Sequence, residues 1–207
     1  MKKFRHFNRS FVVVAAFAVC AAEVAAQDQP TLSVQKLIER GALDEAVQRA
    51  EGERDNSEST FFAAEALAKM NNNARAAEEY SRLRETGDDS WKAIGESGVL
   101  LTNGDLDGAM EAANRAAAAN GDNPYAHYQI GLVASRQGNY ARALEAFSRA
   151  LELKPDLAYA HYYAGVASQR VKEMARMSEH FEIFLKLAPE APERTAVAAI
   201  LRTMRPR

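Results

Sequence analysis

The sequence predicts an all-α solenoid of stacked helical hairpins, and three features of the chain point there. Pro124 to Leu157 reads as two amphipathic helices about a tight turn. Landmark residues recur at a spacing of 34 along the chain, and a fixed period of that length marks a stack of repeated units. The composition is rich in alanine and, after residue 20, nearly free of β-branched runs, which favours closely packed helices.

The 124–157 unit shows how each part arises. Gly131 stands where two helices must approach closely, and Gly138-Asn139 breaks the chain. Ala143, Phe147 and Ala150 then form an i, i+4, i+7 stripe on one helix face. Pro155 ends the second helix, because proline cannot donate the next backbone hydrogen bond and disfavours helix in the residue before it. One hairpin cannot bury both of its faces, so the unit implies neighbours.

Composition excludes several function classes. Of 207 residues, 47% are apolar and 26% charged, and the net charge of −2 supplies no basic field for nucleic acid. The single cysteine, Cys20, rules out a disulfide framework and a thiol-rich metal site.

The first 26 residues read as a cleaved secretory signal peptide. Lys2, Lys3, Arg5 and Arg9 make a basic head, Phe11 to Ala22 is apolar, and Val24-Ala25-Ala26 offers small residues before Gln27. The apolar run is short of the about 20 residues a membrane span needs, and Glu23 interrupts it. Membrane association therefore requires an uncleaved signal or lipidation of Cys20, and Val19 is bulky where a lipidation site usually has Gly or Ala. Cleavage removes four basic residues and one acidic one, moves the net charge from −2 to −5, and leaves a chain without cysteine. No thiol nucleophile or disulfide then remains, even in an oxidising compartment.

The remainder, 27–207, divides by the 34-residue period. Gly104-Asp105-Leu106 and Ala109 precede Gly138-Asn139-Tyr140 and Ala143 by one period, and His161, Gly165, Phe181, Phe184 and Pro189 follow by one period. This defines units at 90–123, 124–157 and 158–191. Upstream, 57–89 is a degenerate copy with Ala76, Tyr80 and Leu83 as its stripe and Asn71-Asn72-Asn73 as its turn, since asparagine tolerates the left-handed conformation. A further degenerate unit, 27–56, carries Leu37, Ile38, the Gly41-Ala42-Leu43 turn, Ala46 and Ala50. In 158–191, Lys172-Glu173 replaces Gly-Asn, so an irregular turn is expected there. Residues 192–204 form a capping helix with Ala196, Val197, Ile200 and Leu201 on its apolar side.

On Gly131, Gly138, Tyr140, Ala143, Phe147, Ala150 and Pro155, at the family's offsets, the chain resembles the tetratricopeptide repeat (TPR) family; His127 departs from the large aromatic usual at its position. The resemblance implies a right-handed superhelical solenoid whose first helices line a concave groove. Carried over by register, it places Trp91, Tyr125, Tyr128, Arg136, Tyr159, Tyr162 and Arg170 on that face. Tyr, Trp and Arg combine large area with a polar handle and dominate interface energies, so these seven are the candidate protein-binding groove. The alternative is that the aromatics pack between repeats. The Lys, Asn and Arg grip with which some members hold a terminal carboxylate is missing from the matching positions.

His127 and His161, one repeat apart, sit at a packing position, and two imidazoles alone make a poor metal site, so neither metal nor cofactor is expected. Gly95-Glu96-Ser97-Gly98 lacks the spacing and the preceding strand of a nucleophile elbow, and no zinc helix, phosphate loop or dinucleotide fingerprint occurs. The expectation is a non-enzymatic interaction scaffold or adaptor, exported to the periplasm, that binds a peptide or helix of other envelope proteins and no nucleic acid. The alternatives are a self-assembling structural protein and a regulatory subunit of an envelope enzyme complex.

Overall fold

The computed structural model describes residues 32–204. The expected signal peptide, with Cys20, lies outside the described residues. Eleven helices occur among the described residues: α1 (Val34–Glu39), α2 (Leu43–Glu51), α3 (Ser57–Lys69), α4 (Asn73–Thr86), α5 (Asp89–Thr102), α6 (Leu106–Ala119), α7 (Pro124–Arg136), α8 (Tyr140–Leu153), α9 (Ala158–Arg170), α10 (Met174–Leu187) and α11 (Arg194–Met204). They pack in sequence order as five hairpins and a terminal helix, an all-α solenoid in which each hairpin lies against its neighbours.

The hairpin turns share one backbone device. Gly41, Asn71, Gly104, Gly138 and Lys172 all have positive φ, at 77°, 57°, 84°, 76° and 66°. After Gly138 the Asn139 amide reaches back to the Ala134 carbonyl at 2.9 Å, and after Lys172 the Glu173 amide reaches the Ser168 carbonyl at 2.9 Å. These bonds satisfy carbonyls that the end of a helix would leave unpaired. The turn at 171–173 is therefore regular, contrary to expectation: packing of the fifth hairpin holds Lys172 in a conformation that its Cβ disfavours. Six helices begin with a side-chain cap, from Asn56, Asn72, Asp88, Asp105, Asn123 and Asn139 onto the amides of their first turns, and Ser33 caps α1 in the same way.

Close approaches set the hairpin geometry. A Cβ at Gly131 would lie 2.6 Å from the Phe147 ring, and one at Gly165 would lie 2.5 Å from the Phe181 ring. In each case the first helix presents bare backbone so that the phenylalanine of the second helix can be buried against it. Within the third hairpin and at its junction with the fourth, two buried serines are hydrogen-bonded. Ser90 Oγ donates to the Ala116 carbonyl at 3.0 Å and accepts from Asn123 Nδ2 at 3.1 Å, while Ser97 Oγ donates to the Ala109 carbonyl at 2.8 Å.

Residues from Ser33 onward form one compact unit, and within it the first hairpin touches the last. Gln35 donates to the Asp156 carbonyl at 2.9 Å, Arg40 pairs with Glu190 at 2.8 Å, and Pro192 lies against Gly41. Lys69, at the end of α3, pairs with Glu193 at 2.9 Å, and Glu193 also accepts from the Tyr159 hydroxyl at 2.9 Å. The superhelix thus closes across its own concave side.

Candidate functional site

The first helices α3, α5, α7 and α9 bring their aromatic residues together on the concave side. Phe61 lies at the centre, fully buried, with ring centroids of Tyr125, Tyr128, Trp91 and Tyr80 at 5.3, 5.9, 6.1 and 6.3 Å. Trp91 stacks on Tyr125 at 5.1 Å and 30°. A second group surrounds Tyr163, which stacks on Phe147 at 5.7 Å and meets Tyr128, Tyr159 and Tyr162. Offset and edge contacts of this kind add about 0.5–1.5 kcal/mol per pair beyond the area they bury.

This arrangement changes the expected binding face. Tyr125, Tyr128 and Tyr159 are 4%, 6% and 9% exposed, so in the closed chain they are interior rather than an open trough. The reason is closure: α1 lies over them, and only about 10 Å³ of free space remains among Gln35, Ile38, Phe61, Tyr125, Tyr128 and Tyr159. Trp91 and Tyr162 stay half-exposed. Gly95 and Gly98 of α5 let α4 approach closely, because a Cβ at either would run into Tyr80. The exposed Arg170 holds its guanidinium 5.4 Å above the Tyr140 ring at the start of α8.

What remains open on the concave side is a chamber of about 390 Å³ at the C-terminal ends of the first helices. Glu65, Lys69, Tyr80, Thr102, Arg136 and Tyr163 line it. Arg136 is exposed and forms no ion pair among the described residues. Glu65 accepts a hydrogen bond from the Tyr80 hydroxyl. Burial raises the Glu65 carboxyl above the usual carboxylate range, although Tyr80, Lys69 and Tyr128 each pull it down. Burial alone would also raise Glu193, but Lys69 and Tyr159 outweigh it and hold that carboxyl low. Lys69 further lies 3.8 Å above the Tyr159 ring. The chamber therefore carries two cations, one of them tied down and one free. On the opposite rim, a wide shallow depression is lined by Glu53, Asp55, Glu58 and Asp88 beside Trp91.

The two repeat histidines act as braces. His127 Nε2 meets the Gly121 carbonyl at 2.9 Å and His161 Nε2 meets the Pro155 carbonyl at 3.2 Å, so each ties a first helix to the loop before it. His161 also meets His180 of α10, Nδ1 to Nδ1, at 3.1 Å. No group of three metal-ligating side chains occurs among the described residues. Sequence reasoning missed Tyr163 and His180. Tyr163 stands one period after Gln129, and that exchange of an amide for an aromatic was the available signal.

The hairpin stack and its concave aromatic face define a helical-repeat protein. Tetratricopeptide repeat profiles match residues 61–124 and 124–157, and the chain is a tetratricopeptide repeat protein. Among solved structures it is similar to the first TPR of Spaghetti (RPAP3) bound to HSP90 peptide SRMEEVD, at 18% identity, TM-score 0.52, over 56% of this chain and 89% of that one. It is similar to YrrB, described as a TPR protein with an unusual peptide-binding site, at 18% identity, TM-score 0.50, over 83% and 89%. It also matches MamA from Desulfovibrio magneticus RS-1 at 22% identity, TM-score 0.47, over 78% and 92%. These likenesses concern the fold. Comparison with curated protein sequences gives no match.

Proposed function

We propose that this chain is a non-enzymatic interaction module, a scaffold or adaptor of the bacterial cell envelope, that holds a peptide or helix of a partner protein on its concave side. The observation that carries the reading is the open chamber at the C-terminal ends of α3, α5 and α7, which Arg136, without an ion pair among the described residues, lines together with Tyr80 and Tyr163. A free guanidinium over an aromatic floor suits an acidic or carboxylate-bearing segment, because Arg offers two parallel donors to one carboxylate. Peptide binding by the Spaghetti TPR and a peptide-binding site on YrrB, as those structures are described, support the same use of the fold. The envelope assignment rests on the amino-terminal pattern of Lys2 to Ala26.

The test places a photocrosslinking residue at Thr102 in the chamber, in cells making the full chain. One defined partner is expected in the periplasmic fraction, with capture falling at least about tenfold on Arg136→Glu while far-ultraviolet circular dichroism is unchanged. The mature chain should begin at Gln27 by mass spectrometry. Capture indifferent to Arg136→Glu would overturn the chamber as the docking point, and a chain retained in the cytoplasm would overturn the envelope assignment.

A further inference from the structure

α1 is a helix of six residues with Val34, Gln35, Leu37, Ile38 and Glu39 all buried, and only Lys36 reaches outward. A helix on the surface of a repeat protein buries one stripe, whereas this one is enclosed nearly all round. Six residues are also far too few to hold helical structure alone, so the groove around them maintains it. The fit is specific as well as apolar. Gln35 Nε2 donates both to Glu39 Oε1 at 2.8 Å and to the Asp156 carbonyl at 2.9 Å. Glu39, its side chain 3% exposed, is neutralised by Lys36 Nζ at 2.6 Å.

We propose that the apolar half of the concave groove is a receptor for a short amphipathic helix of a partner protein, and that α1 is the resident copy of that ligand. The inference rests on the reading of the concave side as the binding surface and names what it takes. The ligand is about one and a half turns long, with apolar residues at the first, fourth and fifth positions and a carboxamide at the second. α1 is exchangeable because its polar fastening is weak at the outer end. Arg40 and Glu190 are both about half exposed, and such a pair adds little. Its advantage is its tether, which holds it at a millimolar effective concentration against any free helix.

The probe is an end-blocked fluorescent peptide of residues 31–42, titrated into the full chain and followed by anisotropy. Weak binding is expected to wild type, and binding at least about tenfold tighter to Leu37→Ala/Ile38→Ala, whose own α1 competes less. A scrambled peptide should not bind. Arg40→Glu should shift affinity in the same direction by less, and Arg40→Glu/Glu190→Arg should cancel that gain, because the variant's own pair is restored and the peptide's Arg40 meets an arginine. This pair decides the matter if the double alanine variant loses helicity. A folded variant with no gain in affinity overturns the proposal, as does a gain replaced by dimers in ultracentrifugation, which would make a second copy the occupant. Peptide binding without partner capture at the Arg136 chamber would overturn only the scaffold reading, and capture without peptide binding would overturn only this one.

Discussion

The fourth and fifth hairpins, 124–157 and 158–191, are built on the same plan with different materials. Both set a glycine of the first helix against a phenylalanine of the second, and both turn through a residue with positive φ. The fourth uses Gly138 for that turn and Asn123 and Asn139 as caps; the fifth uses Lys172, and Leu157 and Glu173, at the capping positions of its helices, give no side-chain cap. The geometry is nonetheless retained. Turn glycines and capping asparagines in this array therefore lower the cost of a conformation that inter-helix packing already dictates.

That comparison can be broken most severely at the shared feature. Gly131→Ala and Gly165→Ala should each cost about 1–3 kcal/mol, since the added methyl must displace a buried phenylalanine ring. Urea denaturation of the two variants measures both, and similar losses are expected because the predicted clashes, 2.6 and 2.5 Å, are alike. A negligible loss in either would mean that its hairpin is looser than described.

Acid should separate the two hairpins. The Pro155 carbonyl can only accept, so His161 Nε2 carries the proton and its Nδ1 accepts from His180 Nδ1–H. Burial, reinforced by His161 and by Arg176 against a smaller opposing effect of Glu179, pushes His180 down to about 4, and burial lowers His161 despite the Pro155 carbonyl and Glu179. Between the ordinary histidine value and about 4 the unfolded chain then binds more protons than the folded one. Stability of the fifth hairpin should fall as pH drops through that window and stay flat above it. The loss should be about 1–2 kcal/mol after allowing for solvent screening of the partly exposed His180 ring. Amide exchange at pH 7 and pH 5 should show α9 and α10 loosening while α7 and α8 do not, and His180→Phe should reduce the difference to the part that His161 contributes.

The smaller tests exchange materials. Lys172→Gly should stabilise by about 1 kcal/mol, and Gly138→Lys should destabilise by a similar amount, because only the former removes a Cβ from the left-handed region. Glu173→Asn should gain about 0.5–1 kcal/mol by supplying the missing cap of α10, and Asn139→Ala should lose about as much. Thermal midpoints of the four variants would read both exchanges, and a destabilised Lys172→Gly would show that the lysine side chain contributes something its exposure conceals.

The fold was legible because a helical repeat is local. Glycine, turn and stripe all lie within one 34-residue unit, and repetition made each visible several times over. The candidate face was legible only as an address: register grouped Tyr125, Tyr128 and Tyr159, which do pack near one another, but could not say whether their surface was open. Closure depends on Gln35 reaching Asp156, Arg40 reaching Glu190 and Lys69 reaching Glu193, pairs separated by 121, 150 and 124 residues that no period connects. The approach of Arg170 to Tyr140 was out of reach for a related reason, since it is a contact between hairpins and not a property of a helix face. At Lys172 local propensity was read as irregularity, and packing overrode it.

Closure also bears on the order in which the molecule can be completed. A polypeptide grows from its amino terminus at roughly 5–20 residues per second. Arg40 must therefore wait for 150 further residues, about 8–30 s, before Glu190 exists to receive it. During that interval Val34, Leu37 and Ile38 have no finished groove to enter, although the later hairpins can each assemble as they emerge. The hairpin made first is the one finished last, and its apolar helix is the part of the newborn chain in longest need of cover.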